Sequence, residues 1–548
     1  MVLACYFRLF ISVGFLGAMD EMHWVSSAAN SSIGGTPFVT DRYIQQLCGL
    51  TYEPLVALYY KVFGNTGVLL FVRHLYFLLA AIVSVILYRH FRPKIDNGTS
   101  LAISSFPFVA TFWGQPSMGY NAIGGLCFVG GAILIIEGVV RSRLRQIVFG
   151  SLFFAWALCA YPTLLGAVIL FWFTLMASRI VVKKAIWKQA LVSNGITGSV
   201  GLIFLLSLLW RAGWDQLAFS YQFSTAQSSL GHFGAKFVYG VKLMVQFLPP
   251  WYVLLSAFVV WFLAWRRWQT SWLLLAVPMS VIIALREPPE PGPYHSPLFV
   301  TLAFMGIPLV IQALRRDYET RLPEAVLWFT GLAGAVFPWW SSALTLYVAF
   351  ITLNWSIVAL LSLSYKKGQS QWISLLAFII PLSIFYQKVL LNQTDDGVHI
   401  FDQELLTDGP YAGIWTSTQR RQYFDQLLAD LRAVSAKGQS ILYYDEFPLG
   451  YLMTDLKPAT PALFMHGLRE SHAVRPFFRA YYSREENRPD IIVRFNYFTQ
   501  YGKAYSVDPS QYLPYKDVFW DYLPTESGAY TQVLNRDSYS IFIKKSRL

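Results

Sequence analysis

Apolar segments of about 15 to 25 residues recur along roughly the first 390 positions of this chain, separated by short loops rich in Lys and Arg or in Pro and Gly. One such run can be a buried core helix, but a long series of them reads as a polytopic α-helical membrane protein. Composition agrees: of 548 residues 55% are hydrophobic and 14% charged, with a mean hydropathy of +0.42. The net charge of +12 is therefore read by location, as an orientation signal, and not as a nucleic-acid footprint. Cys5, Cys48, Cys127 and Cys159 lie in or near apolar segments with no CxxC spacing and no paired histidines, so neither a disulfide framework nor zinc is expected.

The basic clusters order the loops. They fall at Arg89 to Lys94, at Arg141, Arg143 and Arg145, at Arg179 to Lys184, at Arg266-Arg267, at Arg315 to Arg321, where they mix with acids, and at Lys366-Lys367. By the positive-inside rule these loops are cytoplasmic, and the loops between them are outer. Spans are expected at about Gly67 to Tyr88, Leu101 to Trp113, a fourth ending at Arg141, a fifth from Ile147 to the turn Tyr161-Pro162-Thr163, and Val192 to Trp210, the last at about Ile373 to Leu391. Two outer loops stand out: one of about 35 residues from Arg211 to Lys242, and Arg286 to Pro297, whose dense prolines cannot be helical. The total is about thirteen spans with the N-terminus inside and the C-terminus outside. Leu16-Gly17-Ala18-Met19 is a poor cleavage site, so the first apolar run is read as a retained helix and not a signal peptide.

From Asn392 the composition turns polar, and no later stretch is long and apolar enough to span a bilayer. Ser417 to Lys437 has helical spacing, and Ser440 to Tyr444, Asp490 to Phe495 and Ser538 to Lys544 read as strands, predicting a soluble α/β domain of about 150 residues. The expected layout is a membrane domain at 1–391, with a first outer loop at 20–66, and an outer soluble domain at 392–548.

The sharpest chemical signal is Asp20-Glu21, where the apolar run Phe10 to Met19 stops at two carboxylates. Neighbouring carboxylates repel, and partial desolvation raises the pKa of at least one, so a pair at a membrane surface can take up a proton near neutral pH. A solvated helix end is the plainer alternative. A long polar segment to about Asn65 follows; its second half, with Tyr52-Glu53-Pro54-Leu55, reads as an amphipathic helix on the membrane. Arg73 lies in an apolar helix, where it either faces the protein and pairs with an acid or phosphate, or snorkels to the interface. His23 and His74 read as structural histidines and Trp339-Trp340 as an interfacial aromatic belt.

An apolar first helix ending in Asp-Glu, a long outer loop with Tyr52-Glu53-Pro54-Leu55, then Gly64 and Arg73, resembles the lipid-dependent glycosyltransferases of the GT-C superfamily. The nearest likeness is to the branch of protein O-mannosyltransferases and bacterial aminoarabinose transferase, where the segment commonly reads His-Pro-Pro-Leu. The second Pro and the Leu match and the first two positions depart. Asp445 to Thr460 is similar to a segment of bacterial members. The resemblance implies a GT-C fold in a bacterial inner membrane, with the C-terminal domain in the periplasm. It also implies an enzyme that moves a hexosyl or pentosyl sugar, with inversion, from a polyprenyl-phosphate carrier to a hydroxyl of a glycan, lipid or protein acceptor.

By matching positions, Asp20 is the expected general base and Glu21 its helper, orienting the acceptor or tuning Asp20. Glu53, Tyr294 and His295 are expected donor or acceptor contacts, and Arg286, Arg211, Lys242 and Arg73 lipid-phosphate ligands. Tyr294-His295-Ser296-Pro297 is similar to a family Arg-Tyr-x-x-Pro pattern in which Pro293 replaces the Arg. The O-mannosyl-like branch implies no cofactor, whereas an oligosaccharyltransferase-like site would recruit a divalent cation through Asp and Glu. Two other classes compete: a transporter or flippase, which would place its polar breaks at mid-membrane, and a polymerase, ligase or acyltransferase acting on lipid carriers.

Overall fold

In the computed structural model the described residues are Ser12, 19–109, 116–180, 186–227, 310–311, 314–315, 318–341, 350–363, 402–436, 438–444, 447–454, 456–464, 475–495 and 528–547. The first described helix, α1, runs Met19–Ala29 and carries Asp20 and Glu21 in its first turn. Eight helical residues follow the acid pair, where the sequence pointed to a helix end. A 3-10 turn, Asn30–Ile33, follows and closes on Gly34 in the left-handed region.

The amphipathic segment is α2, Gln46–Phe63. Tyr52, Glu53 and Val56 are buried, while Leu55, Leu58, Val62 and Phe63 are exposed, an apolar outer face suited to lipid. Helix α3, Val68–Phe91, follows. Next comes α4, Asn97–Ser104, capped by the Asp96 side chain, which accepts from Thr99 N–H, with a short turn of helix at Phe106–Val109. The chain breaks between these two pieces, so the span expected at Leu101 to Trp113 is not one continuous helix. Residues 110–115 lie outside the described set.

Helices α5, Tyr120–Val140, and α6, Leu144–Ala160, form a hairpin. A Cβ on Gly131 would stand 2.8 Å from the carbonyl of Gly150, so this crossing needs hydrogen at that position. Helices α7, Leu165–Ile180, and α8, Trp187–Ala212, follow. Among the described residues, three helices are long and apolar enough to cross a membrane, α3, α5 and α8. Helix α5 is the most enclosed, with 83% of its apolar window buried against 17% for α8. The thirteen-span count rests largely on residues outside the described set.

The outer loop expected from Arg211 begins with a helix instead, α9, Trp214–Gln227. Further on, α10, Tyr318–Gly334, starts within the segment expected to be a mixed-charge loop. Trp339-Trp340 falls in a short helix, Val336–Ser341, and α11 spans Phe350–Leu363. At the end assigned to the cytoplasm, His90 Nδ1 lies 2.8 Å from Glu137 and Lys94 Nζ 2.6 Å from Glu324, tying α3, α5 and α10 together. Buried charges in such helices persist only when paired.

The C-terminal region is a five-stranded mixed sheet in the order β4-β3-β5-β7-β6, preceded by a two-stranded pair, β1 Glu404–Leu405 and β2 Trp415–Thr416. Strand β3, Ser440–Tyr444, pairs in parallel with β4, Lys457–Pro458, and β5, Ile491–Phe495. Strands β6, Tyr530–Asn535, and β7, Tyr539–Lys544, complete it antiparallel. Successive side chains of a strand point to opposite faces. Ile441 and Tyr443 accordingly join the cluster holding Leu427 and Leu431 of α12, Thr418–Val434, while Leu442 and Tyr444 join Phe478 and Tyr482 of α13, Arg475–Tyr482. The result is a three-layer α/β/α unit.

This unit is built onto the first loop. Ser26 Oγ donates to the carbonyl of Pro448 at 2.8 Å, Asn65 Nδ2 to that of Leu452 at 2.7 Å, and the backbone N–H groups of Gly67 and Arg42 to Gly409 and Pro461 at 2.8 and 2.9 Å. Helix α1 is thus enclosed by α2, α3, α5 and the C-terminal unit. Gly119, just before α5, shows how tightly: a Cβ there would meet the ring of buried Trp24 at 2.2 to 2.4 Å. Gly119→Ala is expected to lower stability by about 1–3 kcal/mol, because neither an indole ring nor a helix start yields easily; thermal unfolding of the purified protein measures it.

Candidate active site

The site is assembled around α1. Its third residue, Glu21, is 1% exposed and accepts two hydrogen bonds from Arg73 of α3, Nε at 2.8 Å and Nη2 at 2.7 Å. This forked pair explains how an arginine is held inside an apolar helix: it faces the protein, and its partner is an acid. Arg73 was also an expected phosphate ligand, and its Nε and Nη2 are committed to Glu21. Asp20, one residue earlier, is only partly buried. The two adjacent carboxylates thus differ in burial, and Glu21 is held by a buried cation.

One turn along α1, His23 Nε2 lies 2.8 Å from Asp41 Oδ2, and Ser27 Oγ donates to the same oxygen at 2.8 Å. The backbone N–H of Tyr43 donates to Asp41 Oδ1 at 3.3 Å. His23 and Asp41 are both fully buried, and the His23 ring stacks on Phe464 of the C-terminal unit at 5.4 Å. Burial pushes the thiol of Cys48 on α2 up, and the negative charges of Asp41 and Asp20 add to the effect. His74 also has a partner, the Leu70 carbonyl at 2.6 Å.

Glu53 and Arg211, expected as separate ligands, meet each other. Arg211 at the end of α8 donates to Glu53 through Nη1 at 2.6 Å and Nη2 at 2.7 Å, and Nη2 also to Ser31 Oγ at 2.7 Å. This ion pair staples α8 to α2. Arg286, Tyr294, His295 and Lys242 lie outside the described residues.

Asp41 and Arg42 were missed by sequence reasoning. An acid-base pair in a loop has no periodicity to mark it, although a carboxylate three residues past Thr36-Pro37-Phe38 could have been weighed against His23. The pair Asp20-Glu21 does not fit a divalent cation, because a metal would have to displace Arg73 from Glu21. Among the described residues, no three His, Cys, Asp or Glu side chains gather as a metal site.

No protein-family profile matches the chain, and no curated protein matches its sequence. Solved structures do. The chain is similar to the Archaeoglobus fulgidus oligosaccharyltransferase in complex with Zn and sulfate, at 11% identity over 90% of this chain and 68% of that one, TM-score 0.46. It is similar to ArnT from Cupriavidus metallidurans bound to undecaprenyl phosphate, at 12% identity over 98% and 96%, TM-score 0.41. The archaeal oligosaccharyltransferase AglB from Archaeoglobus fulgidus, in complex with an inhibitory peptide and a dolichol-phosphate, matches at 12% identity over 90% and 68%, TM-score 0.45.

Proposed function

We propose that this protein is an integral-membrane glycosyltransferase that moves a sugar from a polyprenyl-phosphate carrier to a hydroxyl of an envelope glycan, lipid or protein, with Asp20 as general base. The observation that supports it is the unlike environment of two adjacent carboxylates: Glu21 is locked in a buried fork with Arg73 while Asp20 stands half-buried beside it. Neighbouring acids separated in this way take separate roles.

The chemistry is one inverting displacement. The acceptor hydroxyl gives its proton to the Asp20 carboxylate as its oxygen bonds to the anomeric carbon. The bond from that carbon to the phosphate oxygen breaks, and the electron pair leaves with the polyprenyl phosphate. Glu21 positions Asp20 through Arg73. Cationic and hydrogen-bonding groups of the outer loops, with Arg286, Tyr294, His295 and Lys242 as candidates, stabilise the leaving phosphate. In this reading the site lies on the periplasmic face of a bacterial inner membrane, with the 392–548 domain above it.

The test is stereochemical. Membranes containing the protein, supplied with a polyprenyl-phosphate sugar of defined anomeric configuration, are expected to release polyprenyl phosphate and a product of opposite configuration, read by NMR. A product of retained configuration, or no donor turnover beyond that of membranes lacking the protein, overturns the proposal. The assigned face is checked by fusing alkaline phosphatase after Leu548: an expressed but inactive fusion contradicts it.

A further inference from the structure

Arg42 is a buried cation among aromatic groups. Its residue is 7% exposed, its Cζ stands 4.1 Å from the ring centroid of Phe219 on α9 and 6.0 Å from that of Tyr481 on α13, and its backbone is fixed by Pro461, whose carbonyl accepts from the Arg42 N–H at 2.9 Å. Ser224 Oγ holds the Arg42 carbonyl from the other side at 3.4 Å. Among the described residues its Nε and Nη1 are buried without a hydrogen-bond partner. The adjacent carboxylate, Asp41, is taken by His23 and Ser27.

The surroundings add positive charge. Burial lowers the Arg42 pKa to about 10; Tyr481 opposes the shift, and the Arg484 cation adds to it. A buried guanidinium with open donors is costly, and native proteins keep such groups paired or use them to hold ligands. Nε and Nη1 lie on different edges of the guanidinium, and the charge-assisted acceptor that satisfies either is an oxyanion oxygen. The walls come from the first loop, from α9 and from the C-terminal unit.

We propose that Arg42, with Arg484 beside it, binds an oxyanion, a phosphate or carboxylate, carried by the water-borne acceptor. The anion site stands on this geometry; its assignment to an acceptor rests on the transferase reading above. Through Asp41 and His23 the loop that carries Arg42 is tied to α1, the helix that carries Asp20, so an acceptor held there is registered against the base.

The experiment uses the full-length protein in detergent and follows its unfolding temperature. Inorganic phosphate is compared with chloride at equal ionic strength, and long-chain polyprenyl phosphate with the neutral polyprenol. Phosphate is expected to stabilise the wild type, and Arg42→Met to weaken that effect about tenfold or more in apparent Kd, the loss of a charge-assisted hydrogen bond. Polyprenyl phosphate is expected to stabilise both proteins equally. Met fills the same apolar space without an unpaired charge, so this variant should fold. Arg484→Gln, at an exposed position, is the second variant and should weaken phosphate binding several-fold.

Three results overturn the proposal: no phosphate effect on the wild type, an effect unchanged in both variants, or loss of polyprenyl phosphate binding in Arg42→Met, which would place the carrier here. Retained stereochemistry in the transfer assay would sink the transferase reading and leave phosphate binding by Arg42 standing.

Discussion

Asp20→Asn is expected to reduce sugar transfer by about 100- to 10,000-fold, the range a positioned general base contributes. Asn keeps the size of the side chain and its place in the first turn of α1 and removes only the capacity to take a proton. The acceptor hydroxyl then has to attack while still carrying its proton, and the barrier to forming the new glycosidic bond rises. Because Asp20 is half-buried and Asn keeps its volume, the variant should accumulate and unfold like the wild type. Its KM for the donor should change little, since the lost interaction belongs to the transition state. The limb of the pH–rate profile on which the wild type loses activity with acid should also flatten. Transfer at the wild-type rate with equal protein present removes Asp20 from the mechanism.

What the sequence made legible follows from what leaves a pattern in it. Helices α2, α3, α5, α6 and α8 announce themselves by apolar length or periodicity, and their observed limits lie within a few residues of the expected ones except at the start of α2 and of α8. In the soluble domain α12 was legible because Ser417 supplies an N-cap, accepting from the Arg420 N–H, ahead of apolar residues at helical spacing. Strands β3, β5 and β7 are apolar and central. Strand β6, Tyr-Thr-Gln-Val-Leu-Asn, was missed because it is an edge strand whose side chains are mostly exposed, so nothing in its composition separates it from a loop. Strand β4 is two residues long, one of them Pro458.

The site was half legible for a related reason. Asp20-Glu21 is conspicuous because it interrupts an apolar run, and Arg73 because it sits inside one. That Glu21 and Arg73 are each other's partners is a tertiary fact, set by the crossing of α1 and α3, and no spacing in the chain encodes it. The same holds for Glu53 with Arg211, 158 residues apart, each of which looks like a ligand when read alone. Pairing of buried charges is the usual outcome in a low-dielectric interior, so a lone charge in an apolar segment points first to a second one elsewhere. Arg42 is the converse, a buried cation whose Nε and Nη1 find no partner among the described residues.

The Glu21–Arg73 pair carries the second large effect. Both side chains are 1% exposed, so removing either partner takes away a counter-ion of a buried charge. Arg73→Met and Glu21→Met are each expected to destabilise the protein by about 3–5 kcal/mol. The double variant is expected to recover most of that loss, because two thioether chains fill similar volume with no charge to desolvate. Unfolding of the purified proteins in detergent measures the cycle, and a coupling energy near zero would mean that the two residues do not depend on each other. Activity separates Glu21's two possible roles. If it only positions Asp20 by fixing α1 against α3, the double variant should regain transfer as it regains stability. If its carboxylate acts on the acceptor, the double variant should be stable and inactive. The forked geometry, which occupies both Glu21 oxygens with Arg73, favours the first result and leaves the proton transfer to Asp20.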